Sequence, residues 1–585
     1  MRYSAVRLRP FLRISLFAVL ISQIANAQSS TVPNGSALNS STSAPGGITA
    51  PGSIPVTTGN SSALLIEALS LYRSGDFEDA IAKYQSIIAQ NPKSGEAYAG
   101  VSRCLLKQQK VAEAFDMASK GVEVASDSPA AHSALGEVLF RKGELHDADV
   151  QWVTAANAPK SDARAFLGIA ELETAMSLYA KAKASIDRAF QLDPLDPEIR
   201  RRWLSTLPRA DQIRELEQYL AGANNDDSKT HDWLERRLDL LKARQEQPRR
   251  SCRLVSNVQH TDTRLERMLI DPTHLHGYGL RVDVNGQTAR LLLDTGASGL
   301  LINRKMAERA GVKPLVQTKM EGIGDKGPVS GFVGYADSIK VGGLEFQNCL
   351  VEVSDKRSIV EDDGLIGADV FSNFLVTIDF PDEKLRLSEL PKRPDEQQPK
   401  PVSLDTGDPD DPSSGPEDRE SEQSSKNEPV KSASSNSGPK DRYVAPEMQS
   451  YTPIFRFGHA LLIPTKIGNT SPKLFLIDTG SFTNMISSSA AAEVTKVRGE
   501  DRIHVRGISG EVKNLKSADK VMIQFGHFRQ ENDDLISFDL TPISRSTGTE
   551  VSGLLGFAML RMLSVKIDYR DGLVDFDYKP NPWMR

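Results

Sequence analysis

An apolar strand runs into Asp-Thr-Gly twice in this chain, at Leu291-Leu-Leu-Asp294-Thr295-Gly296-Ala-Ser298 and at Leu476-Ile-Asp478-Thr479-Gly480-Ser481. Each residue type has a physical task. The strand buries the loop, Asp294 or Asp478 presents a carboxylate, and Thr295 or Thr479 offers a hydroxyl for a hydrogen bond between the copies. Gly296 and Gly480 keep the backbone slim where two such loops would meet. Two carboxylates brought together share one proton, because like charges about 3 Å apart cannot both ionise. A third Asp-Thr-Gly, at Asp405, has no apolar strand before it and is discarded.

The surroundings are duplicated too. Gly279–Val284, the turn pair Asn285-Gly286 and Gln287–Leu293 read as a β-hairpin. Leu461–Ile467, a turn beginning at Gly468, and Lys473–Ile477 read the same way. At a similar distance after each Asp stands a glycine-flanked isoleucine, Gly322-Ile323-Gly324 in one copy and Gly507-Ile508-Ser-Gly510 in the other, expected to be flap tips. The second flap lacks the near glycine of the first. Asp363-Gly-Leu-Ile-Gly-Ala-Asp369 then matches Ser552-Gly-Leu-Leu-Gly-Phe-Ala558, with Ala558 in place of Asp369. Each copy ends in a hairpin, Val376–Phe380 with Lys384–Leu387 and Val565–Tyr569 with Leu573–Phe576. Gly322–Gly327 formally fits G-x-G-x-x-G, but no strand leads into it and no helix pattern follows, so no cofactor is expected.

These ordered elements resemble the retropepsin-like bacterial aspartyl proteases, over 270–392 and 450–582. The resemblance implies two all-β lobes that pair to place Asp294 and Asp478 on one water. Thr295, Gly296, Thr479 and Gly480 would support them, and flaps carrying Gly322, Ile323, Gly324, Gly507 and Ile508 would fold over an extended peptide. It implies an aspartic endopeptidase that hydrolyses peptide bonds without metal or covalent intermediate. The competing expectation is an extracytoplasmic binding scaffold whose lobes have lost activity.

Before the lobes lies a repeat. Ala80, Ala114, Ala148 and Ala182 recur at a constant spacing, as do Ala68, Ser102, Gly136 and Ala170. The offset between the rows puts one small residue on each of two touching helices. Tyr84, Trp152 and Ile186 follow the alanines, and Pro92 and Pro194 sit in matching turns. The pattern resembles tetratricopeptide repeats over 61–196, whose concave face implies a protein or peptide partner, with a rigid spacer as the alternative. Helices over 197–250, with Trp203, Leu216, Tyr219, Trp233, Leu238 and Leu241, are expected to cap the open end. The fold class is thus multidomain: an all-α repeat solenoid followed by two all-β lobes, at 252–392 and 447–585.

The N-terminus carries Arg2, Arg7, Arg9 and Arg13, then Ile14–Ile21, then Ala25-Asn-Ala27. This is the pattern of a secretory signal peptide over 1–27, too short for a permanent span. A secreted or periplasmic bacterial protein is expected, with cleavage near Ala27 and no membrane span afterwards. The leader 28–60 and the linker 393–446 are polar and poor in large apolar residues, and both read as disordered. A linker of about fifty residues spans on the order of 40 Å, which favours pairing of the lobes within one chain over homodimerisation. Cys104, Cys252 and Cys349 are scattered and odd in number, so no disulfide framework is expected. His274 and His276 read as a surface loop rather than as metal ligands. A net charge of -6 without a basic run beyond Arg249-Arg250 speaks against nucleic acid.

Overall fold

The computed structural model describes residues 13–15, 21–23, 58–222, 228–246, 252–258, 260–271, 274–356, 362–394, 439–500 and 503–579. Most of the expected signal peptide and leader, and the middle of the linker, lie outside these residues. The chain is multidomain, an N-terminal helical solenoid followed by a β-rich region.

Helices α1 (Thr58–Arg73), α2 (Phe77–Gln90), α3 (Gly95–Lys107), α4 (Val111–Val124), α5 (Pro129–Arg141), α6 (Leu145–Ala156), α7 (Ala163–Ala175) and α8 (Tyr179–Leu192) form four antiparallel pairs. The two rows of small residues fall on alternate helices, and all eight are buried. Their size is required: a Cβ on Gly136 would lie 2.5 Å from the Trp152 ring, and one on Gly168 would lie 2.1 Å from it. Three further helices follow, α9 (Pro197–Leu204), α10 (Arg209–Leu220) and α11 (Ser228–Glu246). Trp203 stacks on Phe190 of α8 with ring centroids 3.8 Å apart, and Leu216, Tyr219, Leu238 and Leu241 form a small core that covers the end of the array.

In the β-rich region the two copies fold alike. Strand Gln287–Asp294 runs parallel to Gly364–Gly367, which runs antiparallel to Leu300–Asn303. In the second copy, Lys473–Asp478, Gly553–Gly556 and Met485–Ser487 repeat this arrangement. Leu291, Leu292 and Leu293 are all buried because both faces of the strand are covered, as parallel pairing demands. The Asn285-Gly286 turn holds φ of 51° and 78°, the left-handed pair a tight hairpin needs.

The closing hairpins join the copies. Phe374–Asp379 pairs antiparallel with Leu563–Asp568, from Leu375 opposite Asp568 to Asp379 opposite Ser564. Lys384–Glu389 and Thr261–Arg264 extend the sheet on one side, and Leu573–Tyr578 and Thr452–Pro453 extend it on the other. Two short strands, Arg13–Ser15 and Ile21–Gln23, lie beside 504–506 and 319–321.

Four sequence expectations change. His274 and His276, expected in a surface loop, lie in strand His274–Val284, because it pairs with Glu266–Asp271. A strand, Val316–Glu321, does lead into Gly322, though another strand rather than a helix follows. Cys252 and Cys349 form a disulfide, because strand Arg253–Leu254 pairs with Leu344–Ser354 and brings the cysteines together across 97 residues, while Cys104 stays free and buried. The ends of the expected disordered linker are also built into the fold. Asp571, fully buried, accepts hydrogen bonds from Arg393, the Tyr443 amide and Arg570, so both ends of 393–446 are held at one carboxylate.

Candidate active site

Each Asp stands at the end of its central strand, Asp294 opposite Gly367 and Asp478 opposite Gly556. The loops that follow are locked to one another reciprocally. Thr295 Oγ1 donates to Ile477 O at 2.8 Å and accepts from the Thr479 amide at 3.0 Å. Thr479 Oγ1 donates to Leu293 O at 2.9 Å and accepts from the Thr295 amide at 3.0 Å. Both hydroxyls are buried and saturated, so neither loop can shift alone without leaving polar groups unmade.

The clasp sets the two carboxyls close together, near enough that the charge of Asp294 acts on Asp478. Gly296 and Gly480 donate backbone N–H to Oδ1 of their own Asp, at 2.8 and 3.0 Å, and Ser481 N donates to Asp478 at 3.0 Å. Gly296 lies between the acids: a Cβ there would be 2.9 Å from Asp478 Oδ1 and 3.3 Å from Asp294 Oδ1. Oδ2 of Asp478 is buried with no hydrogen-bond partner among the described residues.

The acids are 1% and 0% exposed, so burial disfavours their charged forms. Burial pushes Asp294 up to about 7, against the opposing pull of the backbone amides. Asp478 is held well above the usual carboxylate range by burial and then by the charge of Asp294. The pair retains a shared proton far beyond the pH at which a solvated aspartate loses its own.

The two expected flap segments meet each other. Gly322 N donates to Ser509 Oγ at 3.1 Å, Ser509 N to Ile323 O at 3.1 Å, and Lys326 N to Ser509 O at 2.8 Å. Gly324 has φ +133°, and a Cβ on it would collide with Ser509 and Gly510 at about 2.4–2.5 Å. The unequal flap sequences are therefore complementary: one tip supplies the slim residue and the other the hydroxyl. Asp325 Oδ2 accepts from Lys513 N at 2.8 Å, and Lys356 Nζ bonds Ile508 O.

Every candidate site residue of the sequence thus falls at the carboxyl pair or at the flap contact. Sequence reasoning passed over Ser509, Asp325, Lys356 and Ser481. Ser509 had a signal, since it occupies the position of Gly324 in the other copy. Asp325 and Lys356 had none, because their partners are distant in sequence.

The loop supports differ. Asp369 accepts from Ser298 Oγ at 2.9 Å and Gly299 N at 3.0 Å. In the second copy Phe482 replaces Ser298 and Ala558 replaces Asp369. There Asn484 takes over, accepting from Gly556 N at 2.9 Å and donating to Gln530 and Asn532.

A protein-family model described as aspartyl protease matches residues 280–370, and one described as tetratricopeptide repeat matches 71–138. Among curated proteins, the DNA damage-inducible protein 1 of Chaetomium globosum is 29% identical over 113 residues, which is 19% of this chain and 24% of the relative. The chain thus spans 24% of the length of that relative. Among solved structures, a thermophilic TPR protein of Thermus thermophilus is 20% identical, with 31% of this chain and 99% of that one covered and a TM-score of 0.26. PilF of Pseudomonas aeruginosa is 16% identical, with 32% and 86% covered and a TM-score of 0.23.

Proposed function

From a chain that carries an aspartyl protease domain and tetratricopeptide repeats, we propose an aspartic endopeptidase whose two lobes each contribute one catalytic Asp. The observation that carries this reading is the reciprocal Thr295–Thr479 clasp, which sets two buried carboxyls side by side with raised proton affinity. One proton on the pair suits it to the chemistry. The ionised member takes a proton from a water as its oxygen attacks the scissile carbonyl carbon, and the protonated member gives its proton to the carbonyl oxygen. Return of a proton to the amide nitrogen then breaks the C–N bond. Pairing occurs within one chain, a reading supported by the sheet in which Phe374–Asp379 hydrogen-bonds to Leu563–Asp568.

The reading extends to place and partner. The mature protein is secreted or periplasmic, supported by the leader pattern and by the Cys252–Cys349 disulfide, a bond that persists in oxidising compartments. The repeats dock a protein partner or the substrate itself, supported by their family use as protein-binding arrays.

The test is cleavage of an unfolded protein pool by the purified chain beside Asp294→Asn and Asp478→Asn. Each single substitution is expected to lower the rate on the order of a thousandfold. Retained cleavage in either would sink the shared dyad, and an inactive, folded wild type would favour a binding scaffold.

A further inference from the structure

Ile323 and Ile508 sit at the flap tips, yet they are 5% and 6% exposed. Each is buried against the other copy. Ile508 joins Met268, Leu292, Ala297, Leu301 and Leu365. Ile323 joins Leu462, Leu476, Met485 and Leu554. The strand registers show that these are one hollow built twice: Leu365 pairs with Leu292 and Leu301, as Leu554 pairs with Leu476 and Met485. Each hollow lies behind the end of a strand that carries an Asp, and each holds one branched aliphatic side chain.

What backs the hollows differs. In the first copy strand Glu266–Asp271 folds over the hollow and inserts Met268, which is fully buried. The strand at the same place in the second copy is only Phe455–Phe457. Behind it stands the repeat array, whose Leu139, Phe140, Leu145 and Trp152 belong to the same apolar cluster as Ile323. Helix α7 packs on that short strand, and the Phe140 ring lies 5.9 Å from Phe457. Thr549 Oγ1 donates to Phe140 O at 2.6 Å. Gly143 comes so close that a Cβ would be 3.0 Å from Glu550 O and 3.7 Å from Leu474. At a separate point, Asp441 Oδ1 accepts from Ala180 N and Lys181 N at 3.0 and 3.1 Å, capping α8 from outside the array. A solenoid held at these points is fixed to the second copy, not merely tethered to it.

We propose that the third and fourth repeats are the outer wall of the second substrate hollow, so that the repeat array sets which side chain is accepted on one side of the scissile bond. The flap isoleucines stand where substrate side chains bind, and the peptide this cleft takes carries an aliphatic residue at both positions. The inference rests on the proposed endopeptidase reading of the cleft.

The test uses the full mature chain and two readouts. One is the cleavage-site profile on a peptide mixture. The other is the affinity of Asp294→Asn protein for non-cleavable reduced-amide peptides varied at one position or the other. Phe140→Ala and, separately, Thr549→Val are expected to shift preference at a single position on the order of tenfold, with the other position unchanged. Met268→Ala is expected to do the reverse. Thr549→Val leaves the repeats intact and so keeps the test sound if Phe140→Ala unfolds them. The wall is refuted if Thr549→Val and every folded Phe140 variant leave both preferences as in wild type, or shift both equally. Failure of the dyad appears differently, as cleavage that survives Asp294→Asn or Asp478→Asn, while the affinity readout still decides the wall.

Discussion

The two Asp-Thr-Gly copies repeat the same central strands and mirror each other at the clasp, but differ in what braces and backs them. At the clasp, Thr295 and Thr479 make the same two hydrogen bonds in opposite directions. One layer out, Asp369 braces one loop and Asn484 the other. Further out, a hairpin strand backs one hollow and a repeat solenoid backs the other. Symmetry is kept where a proton must be balanced between two carboxyls. It is lost where only shape must be supplied, since many side chains can fill an apolar volume.

That contrast can be broken at its centre first. Thr295→Val and Thr479→Val each remove two cross-copy bonds and orphan buried partners, a loss of about 1–3 kcal/mol per group. Both should lower kcat/KM at least tenfold and to a similar degree, and unequal losses in steady-state kinetics would deny that the clasp is symmetric. Next in size is the disulfide, present in the first copy alone. Cys349→Ser or reduction should cost about 2–4 kcal/mol, read as a lower denaturant midpoint and faster proteolysis within 252–356, with the second copy spared. Proteolysis spread evenly over both copies would contradict that localisation.

A smaller effect separates the braces. Asp369→Ala leaves Ser298 Oγ and Gly299 N without their acceptor, a cost of about 1–3 kcal/mol. Replacing Ala558 by Asp should not repair Asn484→Ala, because Phe482 offers no hydroxyl to meet it. Thermal melts of the three variants measure this.

The smallest effect is electrostatic. The folded values of both buried acids lie above the ordinary 3.8, so the folded state holds their protons more tightly than the unfolded one. Their contribution to stability is therefore full below about pH 4 and declines as pH rises through about 7, the value of Asp294. The stability of Asp294→Asn relative to wild type should rise over that window in chemical denaturation series. Activity, which needs one ionised and one protonated acid, should peak between the pair's two joint titrations, both above the ordinary aspartate range. A flat difference between the two proteins would refute the raised proton affinity.

Much of the centre was legible because it is local. Asp294, Asp478, their Thr-Gly followers and both flap isoleucines sit in short motifs whose chemistry can be named residue by residue. The alanine rows from Ala80 to Ala182 were legible because a helix pair repeats its contact at a fixed spacing. What could not be read is non-local. Nothing near Cys252 announces Cys349, nothing near Arg393 announces Asp571, and Phe140 reads as solenoid core whether or not Thr549 lies beside it. Composition also misled: the polar ends of the linker looked free, yet Arg393 and Tyr443 bond a buried carboxylate that lies well over a hundred residues further on.

The sheet shared by the closing hairpins bears on how the chain is made. Strand Phe374–Asp379 has its inner neighbour in Leu563–Asp568, which is synthesised only after nearly all of the second copy. Until then the first half presents an unpaired edge, the kind of surface that recruits strands from other molecules. A message cut short anywhere before that strand leaves the first copy with its edge strand unpaired, and the ribosome must pass through almost the whole second copy before the first is closed.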